Sequence, residues 1–276
     1  MNIKKRIVFS ARCHPNFTTF LLNNGIPFEE GDPIVLEICV DNPAWTAIEA
    51  YVTENDLLCT SETYFTKMEI ENADWLSIRS QWRNGYPQPE DAFAYENITY
   101  TRENFCQVCG CGLHQVQPFR LKKEPKWGKR HFMMLNWIDD ELFISTLAKE
   151  FFQKSNFSGF QFATVYDRKG NAPMSNIHQL TAPYLLNAGL NPDSLSINAT
   201  YACPVCGIKK HHLSGVGQLE FNRDIFINAP DIVKTSEVFG WGKSASRQIL
   251  IRNSVYRFVV ENHLEQGLIF EPIALV

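Results

Sequence analysis

Cys106-Gln107-Val108-Cys109-Gly110 and Cys203-Pro204-Val205-Cys206-Gly207 are two copies of one short pattern, C-x-V-C-G, set 97 residues apart. Two residues between thiols let a tight turn bring both sulfurs to one metal. The glycine after the second cysteine permits a positive φ, so that backbone N–H groups point at the thiolates. Two such half-sites supply the four donors of a tetrahedral zinc site. The expectation is one structural zinc held by Cys106, Cys109, Cys203 and Cys206, with metal binding coupled to folding. Ninety-three residues separate Cys109 from Cys203, where a compact zinc ribbon has roughly 15–20. The tertiary fold must therefore make the pairing. Cys111 and His114 follow the first turn closely, and His211 and His212 follow the second; any of them could replace a thiolate. A redox pair, reduced structural thiols and a site that has lost its metal are the other readings. Redox work fits poorly, because neither pair follows a strand and opens a helix.

Moving outward, the residues after each turn resemble one another. Residues 142–165 and 250–273 align at an offset of 108, matching Gly159 with Gly267, Phe162 with Phe270, and Phe151-Phe152 with Val259-Val260. Both read as helix, glycine turn, strand. Asp139 or Asp140 caps the first helix, with Phe143, Leu147 and Phe151 on one face. Asn253 caps the second, with Val255, Phe258 and Val259 inward. Gly159 and Gly267 suit the C-terminal cap. Each half then runs cysteine turn, strands, helix-Gly-strand, which argues for duplication.

Residues 1–100 form an additional region. Ile3–Ala11 and Pro33–Val40 read as strands, and Asn42-Pro43 opens a helix with Trp45, Ile48 and Val52 on one face. Asn72–Trp82 reads as a further short helix. Gly85-Tyr86-Pro87-Gln88-Pro89 breaks it. Tyr95–Tyr100, Val116–Leu121 and His131–Leu135 read as strands around the first cysteine turn. The expected fold class is α+β, with residues 1–94 as an N-terminal α+β region, 95–170 as the first cysteine-turn repeat and 171–276 as the second, all in one body.

The chain has 276 residues, 45% of them hydrophobic and 20% charged, with a net charge of -4. That composition is globular, not disordered. No apolar run approaches the roughly 20 residues of a membrane helix, and the apolar stretch Ile7–Phe9 is too short for a secretory signal. A non-exported, cytoplasmic protein is expected. Residues 1–100 hold 15 acidic and 7 basic side chains, a poor match for phosphate but a fair one for a basic protein surface. Phosphate-binding loops, the G-x-S-x-G elbow and H-E-x-x-H are all missing.

The two C-x-x-C-G turns about a hundred residues apart, and the ending Gly267-Leu-Ile-Phe270-Glu271-Pro272-Ile273, resemble the bacterial double-CXXCG motif family. This is a paralogous family named from myxobacteria, and it includes toxin-immunity proteins. The resemblance covers residues 95–276. It implies a cytoplasmic, non-catalytic inhibitor that covers the active site of a contact-delivered toxin, with no nucleic-acid or membrane partner. Trp82, Tyr86, Glu90, Asp91 and Tyr95 are one candidate partner patch, unless Trp82 and Tyr95 belong to the core. A zinc-containing nucleic-acid-binding or regulatory module, and an enzyme with a dispersed active site, are the competing classes.

Overall fold

The computed structural model describes residues 1–276 as a mixed α+β chain, mostly short strands with six α-helices. No helix is long and apolar enough to cross a membrane.

The first unit is built from alternation. Ile7 and Phe9 in strand Asn2–Phe9, and Ile34, Leu36 and Ile38 in strand Ile34–Cys39, point to one face, as a period of two requires. Strand Asn2–Phe9 pairs antiparallel with Ile34–Cys39 on one side and Leu58–Tyr64 on the other. Helices Pro15–Asn23 and Trp45–Glu54 cover the apolar face with Phe17, Leu21, Trp45, Ile48 and Val52. The rings of Phe17 and Tyr51 stack at 4.3 Å.

Residues 72–82 differ from the expected helix. The helix is Lys67–Asn72, started by a capping box in which Thr66 and Glu69 serve each other's backbone N–H groups. Residues Trp75–Ser80 form a strand. Trp75, Leu76, Ser77 and Ile78 are buried in succession, because this strand is central in its sheet and covered on both faces. Alternation is lost in such strands, and the apolar run then imitates a helix.

That sheet runs in the order Ile232–Lys234, Ile249–Arg252, Trp75–Ser80, Leu268–Pro272. Just beyond its last strand, Ala274–Leu275 pairs parallel with Glu220–Phe221. A second sheet runs in the order Arg120–Leu121, Gln161–Asp167, Pro173–Thr181, Leu142–Ile144, Phe132–Met133. In both sheets the strand before a helix and the strand after it flank a central strand: Trp75–Ser80, from far upstream, in the first, and Pro173–Thr181, which follows Gln161–Asp167 across a short turn, in the second. Helices Thr146–Lys154 and Asn253–Glu261 meet in a shared core, where Phe152 packs edge-on against Phe258 at 5.4 Å.

Other local expectations also need correction. Leu142–Ile144 is a strand buried throughout, so the first helix begins later, at Thr146. Its cap is Ser145, whose Oγ accepts the Ala148 N–H at 3.2 Å, and Asp139 and Asp140 lie outside it. Phe143 consequently leaves the helix face and packs in another core. Asn253 is the first residue of its helix, not the cap. Gly159 and Gly267 have φ of 89° and 83°, yet the caps are Ser155 and Asn262; both glycines turn the chain into the next strand. Tyr95–Thr99 is a helical turn. Pro118 interrupts the run 116–121, leaving strands His114–Gln115 and Arg120–Leu121.

Candidate metal centre

Each cysteine turn sits at the tip of a hairpin. Tyr100–Thr101 pairs with His114–Gln115 around the first, and Ile197–Ala202 pairs with Lys209–Leu213 around the second. The turns are closed by the same hydrogen bonds. The Cys106 N–H donates to Cys111 O at 2.8 Å and the Gly110 N–H to Cys106 O at 2.8 Å. The matching pair is Cys203 N–H to Ile208 O and Gly207 N–H to Cys203 O, both at 2.9 Å. Gly110 and Gly207 take φ of 77° and 73°, as the motif demands.

The two tips converge. All four Sγ atoms of Cys106, Cys109, Cys203 and Cys206 lie within 4.8 Å of one another. Across the turns, Cys106 and Cys203 are 3.7 Å apart, and Cys109 and Cys206 are 3.5 Å apart. Four sulfurs about 2.3 Å from a central ion sit roughly 3.8 Å from each other in a tetrahedron. The spacing fits an ion bound at the centre and is too long for disulfides. Three of the cysteines are buried and Cys206 is exposed. The group can therefore hold a metal ion.

Electrostatics explain why a cation suits the group. N–H groups of Cys109 and Val108 hold the Cys106 thiol below its ordinary pKa. Those of Cys206 and Val205 bring Cys203 down to about 6. Burial pushes Cys109 up to about 11. The Ile208 N–H pulls Cys206 downward, but burial and the neighbouring thiols outweigh it and carry it to about 12. Each turn thus has one sulfur prepared as thiolate and one resisting it. Like charges this close cannot all ionise alone, and a divalent cation removes the conflict.

Of the alternative ligands, none joins the group. Cys111 is buried beside it, with Val238. His114 is exposed. The His211 Nδ1 shares a hydrogen bond with Thr200 Oγ1 at 2.9 Å, and its ring lies against Phe239. His212 packs on Trp241.

Two features had no signal in the residue pattern. Lys210 is buried, and its ammonium donates to Cys109 O at 2.9 Å and to Gly242 O and Ser244 O at 2.7 Å. It ties the loop after Phe239 onto the first cysteine turn and places a fixed positive charge near the thiols. The second is an ion pair in a cleft of about 1710 Å³ that opens beside the cysteine group. There Lys234 donates to Glu141, and Glu141 also accepts from Gln179 at 3.0 Å. Gln179 and Gln115 exchange hydrogen bonds of 2.7 and 2.9 Å. Burial pushes the Glu141 carboxyl upward, against the pull of Lys234.

The five residues of the expected partner patch differ in exposure. Tyr86 and Asp91 are exposed, and Glu90 is half-buried with Gln88 donating to it. Tyr95 is core. Trp82 is half-buried, edge-on to Trp127 at 5.4 Å. No protein-family model matches the chain, and no curated protein matches it either.

Proposed function

We propose that the chain is a zinc-stapled, internally duplicated scaffold that acts by binding, as a cytoplasmic immunity protein that neutralises a contact-delivered toxin. The observation that carries this reading is the convergence of four sulfurs from two turns far apart in sequence. It supports one structural zinc, since all-thiolate tetrahedra suit that ion and leave no open position for substrate. The same motif pair carries the resemblance to the double-CXXCG family.

Duplication is supported by matched main-chain bonds. The Met134 N–H donates to Trp82 O, and the Lys234 N–H donates to Tyr184 O. The Asn84 N–H then bonds Met134 O, and the Leu186 N–H bonds Lys234 O. In this reading the strand Trp75–Ser80, from the region before the first repeat, sits at the centre of the second repeat's sheet, and Pro173–Thr181, the first strand of the second repeat, sits at the centre of the first repeat's sheet. The zinc then closes an exchange that the two sheets begin.

The test of the functional reading is co-expression with the toxin encoded beside the gene. Protection of the cells, and a stable complex between purified chain and toxin, are expected; full toxicity in the presence of soluble chain would overturn it.

A second reading, an enzyme with a dispersed site, has one observation behind it, the buried Glu141–Lys234 pair in the cleft. Glu141→Gln separates the two. Protection surviving this substitution in a folded chain favours binding over catalysis.

A further inference from the structure

At one mouth of the cleft, three aromatic side chains stand in solvent when they could be buried. Tyr86, Phe93 and Trp137 are 40%, 49% and 42% exposed. Their rings form one cluster, with Trp137 at 4.5 Å from both Tyr86 and Phe93. Phe93 and Trp137 take φ of 58° and 71°, a left-handed conformation that costs bulky residues free energy. The backbone thus holds these rings outward at a conformational cost.

The rim of this shelf is acidic. Glu96, Asp139 and Asp140 line the same mouth. Arg83 and Arg102 pair with Asp139 and Glu96, while Asp140 and the nearby Asp91 have no basic partner. Burial first, and then the charges of Asp140 and Glu141, push the pKa of Tyr100 up. Lys209, Lys243 and Arg247 line other parts of the cleft. At about 1710 Å³ the cleft is larger than the roughly 300–1,000 Å³ of a small-molecule site. It suits a length of polypeptide.

We propose that this shelf is the docking surface for an extended, arginine- or lysine-bearing segment of the partner protein. A cationic side chain lies across the Phe93 and Trp137 rings, while Asp140 and Asp91 supply the counter-charge. Aromatic faces attract cations through their quadrupole, most strongly for the indole of tryptophan, and unpaired carboxylates steer a basic chain toward them. The inference rests on the protein-binding reading above and gives the partner its chemistry.

The test uses the whole metal-loaded chain and two fluorescent peptides of alternating glycine and arginine, or glycine and citrulline. Citrulline keeps the shape of arginine and removes its charge. The arginine peptide should bind, and the citrulline peptide should bind at least about tenfold more weakly. Phe93→Ala and Trp137→Ala remove exposed rings only, so folding should persist. Each should weaken the arginine peptide by about tenfold at low and at physiological salt. Trp241→Ala removes a still more exposed tryptophan elsewhere and should change nothing. Undetectable binding of the arginine peptide, equal binding of the two peptides, or Phe93→Ala and Trp137→Ala chains that bind like the unmodified one would each overturn the proposal. Failure here with toxin protection intact removes the shelf alone; peptide binding without protection removes the immunity reading alone.

Discussion

Two glycines in equivalent turns have unequal surroundings, and that difference separates backbone strain from packing. A Cβ on Gly207 would meet nothing within 4 Å, whereas one on Gly110 would lie 2.0 Å from the carbonyl oxygen of Lys243. Both residues need positive φ. Gly207→Ala should therefore cost about 1–2 kcal/mol, the price of a left-handed alanine. Gly110→Ala must also displace the loop that Lys210 anchors, and should cost at least ~3 kcal/mol. Chemical denaturation of the two metal-loaded variants measures the difference; equal losses would mean that the loop yields freely. Lys210 itself shows what residue-level reading misses. It stands in the polar string Lys209-Lys210-His211, where nothing local marks it for burial. Only the hairpin and the neighbouring loop turn its ammonium inward onto three carbonyls.

At the scale of elements, the helix Thr146–Lys154 carries a pH-sensitive cap. The Ser145 Oγ accepts the Ala148 N–H and lies 2.9 Å from His131 Nδ1. A neutral imidazole accepts the Ser145 hydroxyl proton, leaving the oxygen lone pairs to the helix. Burial lowers the pKa of His131 from 6.5, and burial does the same first of all for His178 and His211. A histidine depressed in the folded state binds fewer protons there than in the unfolded chain. Its contribution is fully present above about pH 6.5 and is lost as pH falls through that value toward the folded pKa. Urea unfolding should accordingly show stability falling from pH 7 to pH 5.5, and His131→Gln should remove part of the slope. An identical slope in both proteins would contradict the assignment.

Elements were legible where one face is buried and the other wet. The strands at Ile3 and Ile34 and the helix of Trp45, Ile48 and Val52 were read from their periods. Trp75–Ser80 and Leu142–Ile144 were not, because burial on both faces erases the alternation that marks a strand. The cysteine cluster was legible because its chemistry is written locally, twice. The aromatic shelf was only partly so: Tyr86 stood out, but Phe93 and Trp137 carried no signal, and only the fold brings Trp137 to the other two rings.

For the whole molecule, the pattern of central strands makes a strong prediction. Cleavage at Gly170–Asn171, in the turn between strands Gln161–Asp167 and Pro173–Thr181, separates each sheet from the strand at its middle. In fragments 1–170 and 171–276 alone, the sheets that lack their central strand should be largely unfolded. Mixed with zinc, they should recover a common fold, visible by circular dichroism and by co-elution. Independent folding of fragment 171–276 would show that the strand exchange is dispensable.

Metal content measured on the purified chain and on its single cysteine variants tests the central claim most directly. One zinc per chain is predicted, lost together with most of the thermal stability in Cys106→Ser, Cys109→Ser, Cys203→Ser or Cys206→Ser and retained in Cys111→Ser. A chain that is equally stable without metal, or one that keeps its zinc when any of those four sulfurs is removed, would contradict the account.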